Sequence, residues 1–225
     1  RLPKLPAEEN GALMYAKGAF VRESHRHFSH ALAIYPLRQI SGKTPQEKAC
    51  IDRTIAQLES LGTRQWVGYA FAWSALLKIV QRDEEGAVQA LHQFYHAFLS
   101  PNGFHLNGDF RKTGLSEFQY RPFTLEANCL SVQAVNEMLL YSQNGEIEIF
   151  PVIPADWRTC AFRGLRVENG LIVSAELTAT GCVTLRLHAK RAGSWYLKNT
   201  NQTLRLEKGE RRICRWTIKP DIQDP

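Results

Sequence analysis

At Gly145 the hydrophobic period of this chain changes, and that change constrains the fold more than any single motif. Before it, apolar residues recur every three or four positions, as on one face of a helix; after it they alternate, as on a half-buried strand. A segment patterned for one period does not settle in the other. The pattern therefore predicts two regions in series, a helical one over residues 1–143 and an antiparallel β domain over residues 144–225.

The helical region carries its own punctuation. Thr44-Pro45-Gln46-Glu47 offers a threonine N-cap, proline at the first helical position and glutamate two residues further on, the arrangement of a helix start. The helix it opens carries Cys50, Ile51, Ile55 and Leu58 on one face, and Gly62 supplies the stop. A second helix, about Trp66 to Gln81, is apolar almost all round and so is expected to be buried from several sides. Asp83-Glu84-Glu85 opens a third through Leu99, broken by Ser100-Pro101-Asn102-Gly103, and a fourth runs from about Glu126 to Ser142. The connection from Ser100 to Thr124 exceeds the roughly 12–15 residues of ordinary loops. With Phe104, His105, Asn107, Asp109, Phe110, Phe118 and Tyr120 it reads either as a binding-site wall or as a surface excursion. In the β region, Glu146–Phe150, Leu165–Val167, Leu171–Leu177, Val183–His188, Trp195–Lys198, Thr203–Leu206 and Ile213–Ile218 are the strand candidates, with glycines 170, 181, 193 and 209 between them.

Composition excludes several classes. No run of about 18 uncharged apolar residues is present, so no membrane span is expected. The net charge of +6 is spread along the chain, and its densest basic stretch, Arg205 to Arg215, alternates with Glu207, Glu210 and apolar residues; nucleic acid is not an expected partner. Five cysteines (Cys50, Cys129, Cys160, Cys182, Cys214) are odd in number and widely spaced, which fits neither a disulfide framework nor a zinc ribbon. Cys182 and Cys214 could pair, with free thiols the favoured alternative. The opening Arg1-Leu2-Pro3-Lys4-Leu5-Pro6 reads as a linker or the interior of a longer protein.

The densest chemistry lies in Ser24-His25-Arg26-His27-Phe28-Ser29-His30. Imidazoles and a guanidinium offer hydrogen-bond donors and aromatic faces, which suits a polyhydroxylated ligand. Were residues 25–35 helical, His27 and His30 would share a face and form one polar patch with Arg26. Metal is disfavoured: the spacing is His-x-His-x-x-His, with a cation inside it and no cysteine pair nearby. Packing in the core is the ordinary alternative for any one of these histidines.

Four landmarks together resemble glycoside hydrolase family 95, the α-L-fucosidase-like enzymes. They are the His-rich run with Tyr35-Pro36; Gly68-Tyr69-Ala70-Phe71-Ala72-Trp73; Leu125-Glu126-Ala127-Asn128 leading into Val135-Asn136-Glu137-Met138-Leu139-Leu140-Tyr141-Ser142; and Gly145-Glu146-Ile147-Glu148-Ile149-Phe150-Pro151 through Trp157. The likeness extends to about Thr178. It implies the later helices of an (α/α)6 barrel followed by a small β-sandwich-like domain, with the upstream half of the same enzyme as a necessary partner. It implies an inverting glycosidase acting on a terminal α-L-fucoside or related α-L-galactoside in an oligosaccharide or glycan, with no cofactor and no metal. The family base is an aspartate in Ile-Asp-Gly-Asn-Phe-Gly; Glu126 takes its place here with one extra methylene, and Asn128 matches the asparagine. His25, Arg26, His27 and His30 fall among the sugar-contacting groups, with Arg26 expected to brace a carboxylate. Trp66, Tyr69 and Trp73 are candidates for a stacking wall, or for core at their helical spacing. The general acid is expected upstream of Arg1, and export to the periplasm or beyond is implied. Two other classes stay open: a helical-toroid polysaccharide lyase, and a non-catalytic carbohydrate-binding fragment.

Overall fold

In the computed structural model, residues 4–218 are described; residues 1–3 of the opening segment read as a linker lie outside them. The chain forms two compact units, residues 1–135 and 136–225. The first holds α1 (Pro45–Ser60), α2 (Gly68–Gln81), α3 (Glu84–Phe98) and most of α4 (Glu126–Leu139). Among the described residues no helix is long and apolar enough to cross a membrane.

Local chemistry sets the helix ends. The Thr44 side chain accepts a hydrogen bond from the Glu47 amide at 3.1 Å, while the Glu47 carboxylate takes the amides of Ser41 and Lys43, occupying donors ahead of the first turn. Gly62, at φ +73°, closes the helix in the left-handed region that glycine enters without steric cost. Asp83 caps α3 by accepting from Gly86 N at 2.8 Å. It also shares Lys78 with Glu59, so that nearly buried ammonium has two carboxylates. Their hydrogen bonds and charge hold the Lys78 pKa above its ordinary value although burial pulls it down. The all-round apolar α2 is buried at ten of its fourteen positions, which makes it the axis of this unit.

The loop between α3 and α4 is ordered from within. Fully buried Asp109 accepts from the amides of Thr113, Gly114 and Leu115 and from the Thr113 hydroxyl. Ser116 Oγ donates to the Trp66 carbonyl at 2.6 Å and Thr63 Oγ1 to the Leu115 carbonyl at 2.7 Å. These bonds fasten the loop to the start of α2.

The second unit consists of two four-stranded sheets, ordered β1-β2-β6-β7 and β3-β4-β5-β8. The strands are β1 (Leu140–Gln143), β2 (Glu146–Ile149), β3 (Cys160–Val167), β4 (Leu171–Leu177), β5 (Cys182–Ala189), β6 (Gly193–Leu197), β7 (Gln202–Leu206) and β8 (Arg211–Thr217). Both sheets contribute to one apolar core that includes Ile147, Ile149, Val173, Leu185, Trp195 and Leu197. All five cysteines are free.

Three expectations are corrected here. The fourth helix stops at Leu139, and Leu140–Gln143 is strand paired antiparallel to β2; a short apolar run that follows a helix does not reveal its own end. The β domain is not wholly antiparallel, because β2 and β6 pair in parallel, the intervening β3–β5 providing the crossover such pairing requires. Residues 25–35 form no α-helix, only a 3-10 segment over Ser29–Ala33.

Candidate functional site

Phe28 fixes the His-rich run. Its ring is fully buried and meets Trp66 at 4.9 Å and Trp73 at 5.4 Å between centroids, contacts that add to the burial of large apolar area. Trp66 and Trp73 are 4% and 8% exposed, and Trp73 Nε1 donates to the Tyr35 carbonyl at 3.1 Å. Both tryptophans therefore sit behind the run, in the core position that their helical spacing allowed. Ser24 Oγ donates to the Gly62 carbonyl and accepts from the Gln65 amide, which ties the other end of the run to the α1–α2 turn.

Without a helix, the run sorts its polar members to different environments. His25 and His27 are exposed, their rings 5.3 Å apart, with His25 Nδ1 accepting from the His27 amide at 3.1 Å. They line an open cleft of about 360 Å³ with Tyr15, Phe20, Glu23 and Ser29. Desolvation, then the charges of Arg26 and His25, hold the His27 pKa below that of a free imidazole, so His27 is neutral near pH 7 and presents one donor and one acceptor. The Arg26 guanidinium lies 5.6 Å from the centre of the Phe118 ring, a cation–π contact where a carboxylate had been expected. His30 turns inward. It is 6% exposed, packs edge-on against Tyr15 at 4.9 Å, and neither ring nitrogen has a hydrogen-bond partner among the described residues. Burial drives its pKa down to about 4.

Glu126 is the first residue of α4, at the positive end of the helix dipole. It is exposed and does not line the cleft. Its charge reaches two side chains, opposing the desolvation that lowers the His105 pKa and adding to the desolvation that raises that of half-buried Tyr69. Asn128 has both ends of its amide engaged by backbone: Oδ1 accepts from His105 N and Nδ2 donates to Gly103 O, each at 2.8 Å. In this arrangement it is a positioning residue that pins residues 103–105 against the start of α4.

His105, named in the sequence only as one member of the long loop, joins three segments. It is fully buried against Phe94 and Phe98. Its Nδ1 lies 2.9 Å from the Thr124 carbonyl and 2.7 Å from Thr124 Oγ1. A carbonyl only accepts, so Nδ1 carries the proton and Nε2 is left as a lone pair. That lone pair faces Gly68, the first residue of α2, where a Cβ would lie 2.2 Å from Nε2. No spacing rule singles out such a residue; an isolated histidine before a turn-rich loop carries no sequence signal. Glu23, which no motif in the sequence marks, stands in the cleft with His25 and His27.

Chemically, then, the helical unit presents two features: a carboxylate at a helix start whose charge reaches a phenol and a buried imidazole, and a cleft mixing imidazoles, the Arg22 guanidinium, a carboxylate and aromatic faces. Both suit a polyhydroxylated ligand and proton transfer from water. Residues 2–139 match the glycosyl hydrolase family 95 catalytic domain, more than half of the chain, and the chain belongs to that family. It is also 26% identical over 152 residues to alpha-L-fucosidase 2 of Arabidopsis thaliana, covering 67% of this chain and 17% of that protein. The chain thus spans about a sixth of the length of the curated relative it matches.

Proposed function

We propose that this chain supplies the base-carrying part of an inverting α-L-fucosidase-type glycoside hydrolase, acting on a terminal α-L-fucoside or related α-L-galactoside. Glu126 is the base: placed at the helix start, its carboxylate takes a proton from water as the water attacks the anomeric carbon. The general acid that protonates the leaving oxygen comes from the upstream half of the enzyme. In inverting enzymes it stands roughly 6.5–9.5 Å from the base. The helical unit is part of an (α/α)6 barrel, and the two-sheet unit is a β-sandwich-like companion. His25 and His27 hold ring hydroxyls. Asn128 and His105 keep the start of α4 in place, and Trp66 and Trp73 support the His-rich run through Phe28. The enzyme works in the periplasm or outside the cell.

The observation that carries this reading is the position of Glu126, opening a helix within the matched catalytic-domain segment and sharing its field with Tyr69 and His105. In the full-length protein, Glu126→Gln is expected to cut turnover of aryl α-L-fucosides and α-L-galactosides by about 10²–10⁴-fold with little change in substrate binding. Proton NMR of the first product should report inversion. Near-normal turnover, or a retained anomer, refutes the assignment.

A further inference from the structure

The outer face of sheet β3-β4-β5-β8 gathers positive charge that the glycosidase reading does not use. Strand register fixes which side chains share that face. One row across the sheet is Arg166, Ile172, His188 and Arg211; the next is Ser174, Arg186 and Ile213; the third is Glu176, Thr184 and Arg215. Burial alternates along the strands in agreement, with Val173, Ala175, Leu185 and Leu187 facing the core. These rows hold four arginines and one carboxylate. Glu176 lies 3.8 Å from Arg186, with both side chains more than half exposed.

The charge is concentrated at one point. Arg186 stands opposite Ile213, and Arg211 and Arg215 are the residues two positions either side of Ile213 on β8. Each is a diagonal neighbour of Arg186, about 7–8 Å away in such sheets. Three guanidiniums thus surround one isoleucine that is 56% exposed. The charges of Lys190 and Arg211 add to desolvation in lowering the His188 pKa, as a positive field does. The other sheet lacks this bias: its outward positions include Glu146, Glu148, Ser194, Tyr196, Thr203 and Arg205, and Glu148 is paired with Lys198 at 2.9 Å.

We propose that this face binds an anionic polysaccharide, one bearing carboxylate or sulfate groups along an extended chain. Guanidiniums fork onto carboxylate and sulfate oxygens, and Ile172 and Ile213 give apolar ground for the C–H face of a sugar ring. The described strands turn no Phe, Tyr or Trp onto this face, since Phe162 and Trp216 pack toward the core; a surface that held unpaired nucleic-acid bases would need such platforms. The proposal does not depend on the chemistry of Glu126.

The test uses the full-length protein with polygalacturonate and dextran sulfate as probes and neutral dextran as control. Binding to one or both acidic polymers, weakening as salt rises, is expected, with none to neutral dextran. Arg186→Gln, Arg211→Gln and Arg215→Gln together should weaken it about tenfold or more while the melting temperature holds. A charge-matched triple at exposed Lys17, Lys48 and Lys112 should leave it nearly unchanged. The proposal fails if neither polymer binds, if the β-face triple binds as before, if the lysine triple loses as much, or if duplex DNA or anionic phospholipid vesicles bind more tightly than both polymers.

Discussion

Replacing Gly68 with alanine tests the packing behind Glu126 at a single methyl group. Gly68 does not have the positive φ that reserves a position for glycine, so its backbone accepts alanine and the helix gains up to about 1 kcal/mol. The obstacle is space. The new Cβ would lie 2.2 Å from His105 Nε2, 2.6 Å from its Cδ2 and 3.0 Å from Phe98 Cβ. Fully buried His105, bonded at Nδ1 and at its backbone amide, has no free direction in which to withdraw. Overpacking of this kind costs about 1–3 kcal/mol, leaving a net loss of up to about 2 kcal/mol and a fall in melting temperature of up to roughly 8 °C. Thermal melts followed by helical ellipticity report it, because α1–α3 all lie in the first unit. The same substitution in a His105→Ala background meets no imidazole and should stabilise by up to about 1 kcal/mol, a coupling of about 1–3 kcal/mol. An equal cost in both backgrounds would show that Nε2 does not press on α2, and the account of His105 as the junction of three segments would fall.

Three further outcomes follow from named contacts. His30, held neutral with a pKa of about 4 against 6.5 when unfolded, binds fewer protons folded than unfolded between those values, so stability rises with pH across that window. It should drop by about 2 kcal/mol between about pH 7 and about pH 5, and His30→Leu should remove that share of the slope; an unchanged slope contradicts the burial argument. Thr54→Val strands the buried Leu13 amide, whose acceptor is Thr54 Oγ1 at 3.0 Å, at a cost of about 1–3 kcal/mol in chemical denaturation, and Thr54→Ser should restore most of it. Thr44→Ala removes the α1 cap and should cost about 1 kcal/mol, with no loss at all arguing that Glu47 alone holds the helix start.

What the sequence made legible was local. The Thr44 cap, the stops at Gly62 and after Leu99, and the period-two runs each depend on neighbours within a few residues, and helix and strand formed close to where they were read. The β4 boundaries, Leu171–Leu177, were recovered whole. The 3-10 segment over Ser29–Ala33 was not legible, because the residue just before it, Phe28, is held in a tertiary aromatic cluster that propensity does not encode. Nor were Asp109 and His105: each is defined by partners across a long loop or another helix. The His-rich run was legible as a cluster of polar groups, but its sorting into two exposed imidazoles and one buried one required knowing where Phe28 points.

That ring is the fastening of a strap, and the groups displayed on the strap inherit their address from it. Shaving Phe28 to alanine would leave every imidazole intact and still set His25, His27 and His30 adrift together. Mutational scans of the run would therefore record at its one greasy member a loss that reflects fastening and not display.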